Sequence, residues 1–187
     1  MFHINLSEIN LDGTHTIAKN GGQDVNYQRR KRAKTSNIFP LTDKMGNIIG
    51  FLPILAGNHN DAFELKQRLT HFFKWFLATF KWSLKGVFFN ADSAFDVKIV
   101  RKVIFNYGLI PNVAENKRKR KKPKKGRKRL FNKEVYDNRY TNERTHAWVD
   151  NFRGVLIRFD KKTAYWLGAN LIAFAMVNFR HIIPDQS

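Results

Sequence analysis

The chain has 187 residues, 43% of them hydrophobic and 17 of them Phe, which suits one domain (1–187) with a filled core and leaves few options for two. It has no cysteine, which excludes disulfides, thiolate metal sites and cysteine nucleophiles, so any metal must be held by oxygen or imidazole. A formal net charge of +19 implies a polyanionic partner, nucleic acid first and an anionic membrane surface second.

The opening residues Met1-Phe2-His3-Ile4-Asn5 lack the basic start and long apolar run of a signal peptide. Residues 9–12 read as a first strand ending in Asp12-Gly13, with Asp12 projecting at its end. Gly21-Gly22 and the run Arg29-Arg30-Lys31-Arg32 form a loop or hairpin of cationic character. Residues 36–42 are a second strand, in which Pro40 marks an edge or an irregularity. After turn chemistry at 43–47, residues 48–55 return as a third strand and complete a meander. The polar stretch Gly57-Asn58-His59-Asn60-Asp61 leads into a helix over about 62–81, with Asn60 or Asp61 as its N-cap.

Val87-Phe88-Phe89-Asn90-Ala91 has the continuous apolar character of a buried parallel strand, and Asp92 follows directly at its carboxyl end. A helix over 95–107 stops at Gly108, and 109–113 form a fifth strand. Eleven of the thirteen residues from 117 to 129 are Lys or Arg, broken by Pro123 and Gly126, so 115–131 reads as an extended basic loop. Next comes a helix on which Tyr136, Arg139 and Glu143 share one face, with Ala147 and Leu156 on a neighbouring apolar stripe for docking. Residues 165–179 form a last helix. It is apolar but too short to span a bilayer, so a buried helix in an intracellular, cytoplasmic protein is expected. The order is that of a mixed sheet of about five strands flanked by helices, an α/β ribonuclease-H-like fold.

Asp12, Asp92 and Glu143 stand out by placement. Central strands can bring the two aspartates side by side, and a helix across them can add the glutamate. Converging carboxylates repel unless they bind cations, and this set suits two hard divalent ions about 3.5–4 Å apart on a phosphodiester. Each has a plainer reading: Asp12 as a turn residue, Asp92 as a helix cap with Asp96 competing nearby, and Glu143 as a surface partner of Arg139 or Arg144. His15 and His146 lie close in sequence to two of these acids and read as packing residues rather than ligands.

Leu11-Asp12-Gly13-Thr14-His15-Thr16, Gly57-Asn58-His59-Asn60-Asp61, Ala91-Asp92-Ser93-Ala94-Phe95-Asp96 and Tyr136-x2-Arg139-x3-Glu143 together resemble the DDE transposases of bacterial insertion sequences. The similarity is to the group with a Tyr-x2-Arg-x3-Glu-x6-Lys signature, and it runs from about residue 11 to 180. It implies that Asp12, Asp92 and Glu143 bind two Mg²⁺ or Mn²⁺ ions, nick DNA at the element's ends and direct the freed 3′-hydroxyl into target DNA. It also implies phosphate contact by Arg139, with Tyr136 holding Glu143 or touching phosphate, and a homodimer on DNA in the bacterial cytoplasm, associated with the nucleoid. His59 and Asp61 would support the site or shape a helix-capping loop. The pattern's Lys is Asp150 here, and Arg153 is the substitute for its DNA contact. Only eleven residues precede Asp12, so the DNA-binding segment usual there is expected to be encoded separately or lost.

Lys117, Arg118, Lys119, Arg120, Lys121, Lys122, Lys124, Lys125, Arg127, Lys128 and Arg129 supply more than half of the net charge and would bind phosphates without regard to sequence. The competing functions are a ribonuclease-H-like nuclease that cuts without joining and a catalytically silent DNA-binding remnant of a transposase.

Overall fold

The computed structural model describes residues 4–116 and 129–180, so residues 117–128 of the basic run lie outside it. In chain order the elements are β1 (Glu8–Leu11), β2 (Thr14–Ala18), β3 (Asn26–Gln28), β4 (Ala33–Asp43), β5 (Ile48–Ala56), α1 (Leu65–Phe80), β6 (Phe88–Ala91), α2 (Lys98–Asn106), β7 (Ile110–Val113), α3 (Lys133–Asp137), α4 (Tyr140–Asp150), α5 (Arg153–Leu156), β8 (Ile157–Arg158) and α6 (Thr163–Arg180). Among the described residues, eight strands form one sheet. Its heart runs β5-β4-β1-β6-β7, with β4 antiparallel to β1 and β5, and with β6 parallel to β1 and β7. This is the ribonuclease-H-like arrangement expected from the sequence.

Three strands exceed the expected five. β3 pairs antiparallel with β4 around residues 29–32, the hairpin form of the cationic segment, and has none of the apolar alternation that marks a strand; β8 is two residues long. The third, β2, changes the reading of Asp12. β1 meets β4 through Leu11↔Leu41, and β2 meets the same strand through Thr14↔Ile38, so the register is unbroken from one to the other. The chain does not turn away after Asp12. It runs on along β4, interrupted only at Asp12-Gly13, opposite Pro40 and Phe39. Pro40 is therefore in a central strand, not at an edge, and the gap in the ladder falls where proline has no N–H to give.

The sheet's two faces differ in chemistry because successive side chains alternate. Ile9, Leu11, Phe89 and Ala91 join Phe72, Phe73 and Phe76 of α1 and Val100, Val103 and Ile104 of α2 in the larger core. On the opposite face Ile38, Ile48, Val149, Trp166, Phe174 and Val177 form a smaller core beneath α4 and α6. Between those cores, that same face is polar where α3 and α4 approach it. Asn90 Nδ2 donates to Asn10 Oδ1 at 2.8 Å, and Asn112 Nδ2 donates to Asn90 Oδ1 at 2.7 Å, giving a buried amide ladder across β1, β6 and β7.

The ladder continues into the helical layer. Asn112 exchanges bonds with the backbone of Asn132, the N-cap of α3, and Asn90 Nδ2 also donates to the Val135 carbonyl. Asn138 Nδ2 donates to the buried Glu8 carboxylate, and Thr42 Oγ1 donates to Asn142 Oδ1. The expected docking stripe is thus replaced: α4 buries Thr141, Asn142, Thr145 and Val149, while Ala147 and Leu156 are exposed. The expected single helix is two, because the chain turns at 138–139; both residues keep right-handed helical angles, which preserves the spacing.

The last helix is not buried on all sides. Trp166, Asn170, Ala173, Phe174 and Val177 face inward, whereas Tyr165, Ile172, Met176 and Phe179 are exposed. No described helix is long and apolar enough to cross a membrane.

Candidate functional site

β1 and β6 are parallel and paired to their last residues, Leu11↔Ala91, so the next residue on each, Asp12 and Asp92, stands beside the other where the pairing stops. Both are half-buried. Asp12 Oδ1 accepts from the Gly13 N–H at 2.9 Å, and Asp92 Oδ1 accepts from the Ala94 N–H at 2.7 Å, capping the 3₁₀ turn Ser93–Phe95. Asp92 is thus a cap and a neighbour of Asp12 at once. Gly13 is needed for packing rather than for a turn, since a Cβ there would lie 2.7 Å from the Phe39 ring. Asp96, the competing acid, is taken up elsewhere. It accepts from Arg101, Arg129 and the Asn116 N–H, and these outweigh the effect of burial and hold its carboxyl below the usual range.

Arg139 closes the site from the helical side. Its Nη2 lies 3.5 Å from Asp12 Oδ2, and its Nη1 donates to the Tyr136 hydroxyl at 2.8 Å. Glu143 is in the first turn of α4 and exposed; its backbone N–H donates to the Arg139 carbonyl, while its side chain makes no hydrogen bond or ion pair to a described residue. Its charge reaches His146 one turn on, together with those of Asp12 and Asp150, and His146 Nε2 is buried without a partner among the described residues. Arg153 begins α5 and is exposed. Of the eleven basic residues expected to hold DNA, Arg129 alone is described, and it pairs with Asp96. Lys117 through Lys128 lie outside the described residues.

The loop after β5 behaves differently from its helix-capping reading. α1 begins at Leu65 with Glu64 in the left-handed region as its cap, and neither Asn60 nor Asp61 serves it. Asp61 Oδ1 instead accepts from Asn37 Nδ2 at 2.9 Å, and its pKa is raised, first by burial and then by the charges of Asp92 and Asp12. His59 stacks on Phe63 with ring centroids 3.8 Å apart. His15, from β2, is bound at both nitrogens, by Thr35 Oγ1 and Asn37 Nδ2, each at 3.1 Å. Asn37, His15 and the amide ladder were not read from sequence as parts of the site. Their signal was there only as strand residues of the wrong polarity, whose partners are set by long-range register.

Two histidines here make stability depend on pH. Burial, then Lys31 and Arg30, keep His15 below its ordinary pKa; burial does the same at His146 despite the opposing charges of Asp12, Asp150 and Glu143. A histidine depressed in the folded state stabilises the fold above its unfolded value of 6.5, and that contribution is lost as pH falls through the folded pKa. Asp61, raised, has the opposite sign: its contribution is present at low pH and lost as pH rises through its folded pKa. Urea unfolding between about pH 7.5 and 5.5 is therefore expected to show falling stability, by up to about 1.4 kcal/mol per pH unit for each histidine, with a shallower fall in His15→Gln.

Among the described residues, no three His, Asp or Glu side chains converge closely enough to hold a metal ion as a cluster. The donor set nevertheless fits a hard divalent ion: Asp12 and Asp92 offer adjacent carboxylates, half-open to solvent, with Asp61 nearby. Arg139 is the cation now in place against Asp12.

No protein-family model matches the chain, and neither does the sequence of any curated protein. Solved structures do. The chain is similar to piggyBac transposase in a synaptic complex with hairpin DNA, at TM-score 0.61 and 12% identity over 95% of this chain and 47% of that one. The chain thus spans about half of that transposase. At TM-score 0.49 and 11% identity, it is also similar to the catalytic domain of Mos1 mariner transposase, over 95% of this chain and 79% of that one. The Mos1 paired-end complex with Mn gives the same score and identity over 94% and 54%. The piggyBac match shares the fold; identity this low says nothing of chemistry.

Proposed function

We propose that this chain is the catalytic domain of a DDE-type DNA transposase of the insertion-sequence kind. In this reading Asp12, Asp92 and Glu143 hold two Mg²⁺ or Mn²⁺ ions and serve strand cleavage followed by strand transfer. The observation that carries the proposal is the placement of Asp12 beside Asp92 at the matched ends of two parallel strands, with Arg139 against Asp12. The chemistry such ions supply is activation of an attacking oxygen and neutralisation of charge on the phosphate.

The chain's own residues do the rest. Asp12 and Asp92 present acceptor-only oxygens at fixed positions, because each backbone is held by the sheet up to the preceding residue. Arg139, aimed by the Tyr136 hydroxyl, can pass from Asp12 to a scissile phosphate, for which its planar fork is suited. The Glu143 side chain is free to turn inward from the first turn of α4, where no side-chain bond to a described residue holds it. The net charge of +19 favours DNA as the substrate and a steep loss of binding with salt.

The test is incubation of the purified chain with labelled duplexes from the DNA flanking its gene, with Mg²⁺ or with chelator. Metal-dependent joining of ends to target DNA is expected. Cutting without joining would replace the proposal with a nuclease, and binding without chemistry would leave a DNA-binding remnant.

A further inference from the structure

Asn37 is a wholly buried asparagine in the centre of β4, and both of its amide hydrogens are in use. One goes to Asp61 Oδ1 at 2.9 Å and the other to His15 Nε2 at 3.1 Å. A carboxylate can only accept, so the nitrogen must face Asp61. His15 must then accept at Nε2, carry its proton on Nδ1 and donate it to Thr35 Oγ1. The chain Thr35–His15–Asn37–Asp61 therefore has one consistent direction, and it ends on the carboxylate.

This arrangement leaves the Asn37 amide oxygen buried without a partner among the described residues, close to Gly13, the neighbour of Asp12. Arg68 is also buried, its guanidinium 4.2 Å from the Phe39 ring centroid; Nη2 donates to the Pro53 carbonyl, while Nε and Nη1 have no partner among the described residues. Phe39 is the ring on which Gly13 rests. Asn37 and Arg68 thus bring a hard oxygen and a positive charge around Gly13 and Phe39, and Asp61, held by Asn37 and facing the charges of Arg68, Asp92 and Asp12, does not cap α1. The histidine–asparagine frame fixes the Asp61 carboxylate against β4 and keeps it among the charges of Asp92 and Asp12.

We infer that Asn37 and His15 are positioning residues that hold Asp61 as an outer carboxylate of the Asp12–Asp92 site, where it accepts hydrogen bonds from the water shell of a bound divalent ion. The inference rests on the function proposed above and names a part of that same site. Mg²⁺ and Mn²⁺ in such sites keep several of their waters, so a carboxylate serves them without joining the inner ligands. That is consistent with the absence of a tight three-acid cluster among the described residues. Outer partners of this kind typically contribute ten- to a hundredfold to metal affinity.

The test is Mn²⁺ binding by the DNA-free chain, followed through loss of the free-ion paramagnetic resonance signal. Asp61→Asn is expected to weaken binding about ten- to a hundredfold with little change in melting temperature, since Asp61 is a half-buried loop residue. Asn37→Ala should weaken it by a similar factor, and the double variant should be no weaker than Asp61→Asn alone, because both act through one carboxylate. Asp61→Glu should recover part of the loss. Unchanged Mn²⁺ affinity in Asp61→Asn, beside its loss in Asp92→Ala, would overturn this inference and leave the proposed function standing. Unchanged affinity in both would overturn the two together.

Discussion

Asp92→Asn is expected to lose strand cleavage by roughly a thousandfold, about 4 kcal/mol of transition-state stabilisation, while melting close to the unsubstituted chain. The choice of asparagine matters because Asp92 has two tasks. Its Oδ1 accepts from the Ala94 N–H and starts the turn Ser93–Phe95. Asparagine caps as well as aspartate does, so that task survives and only the charge is removed. Alanine removes both, with an added stability loss of about 1 kcal/mol. Cleavage with Mg²⁺ on labelled duplexes, run beside thermal melts of both variants, separates the roles. An Asn variant as active as the parent beside an inactive Ala variant would mean that Asp92 is a cap and nothing more.

Asn90→Ala is expected to destabilise the fold by about 3–5 kcal/mol, read as a lower urea midpoint at unchanged slope. Asn90 is the middle rung of the amide ladder. It donates to Asn10 Oδ1 and the Val135 carbonyl, and it accepts from Asn112. Truncation leaves these groups short of partners in a buried layer where water does not replace them, at about 1–3 kcal/mol each. Asp at this position would fare no better, since it offers a second acceptor to Asn10 Oδ1 and adds a buried charge. The loss also reaches the site, because Val135 lies on α3 next to Tyr136, which aims Arg139.

The hydrophobic runs made the heart of the sheet legible. Val87-Phe88-Phe89-Asn90-Ala91 announces a buried parallel strand, and an acid directly after it lies where the pairing must stop. Asp12 was legible as a neighbour of Asp92, but not as an interruption within a longer strand. Thr14-His15-Thr16 after Asp-Gly looks like the far side of a turn, and only the unbroken register on β4 reveals otherwise. Asn10, Asn90 and Asn112 each look unfavourable inside a strand. Their sense lies in cross-strand alignment, which no local window contains. Asp61 was legible as a polar residue ahead of a helix, and capping is the commonest use of that placement. Its partner Asn37 comes from a strand 24 residues earlier.

The polar seat of α3 and the start of α4 also bears on how this part of the molecule comes loose. Lifting an element from a greasy core exposes apolar surface, with a large rise in heat capacity and a steep response to denaturant. Lifting α3 and the α4 elbow from rungs of asparagine and from Glu8 would expose mainly amides and carboxylates. Such an opening has a shallow response to both, a signature that would set the arm carrying Tyr136 and Arg139 apart from the aromatic core beneath α1. Asp12 and Asp92 follow directly on strands of the sheet, while the arginine set against Asp12 rides on the polar arm.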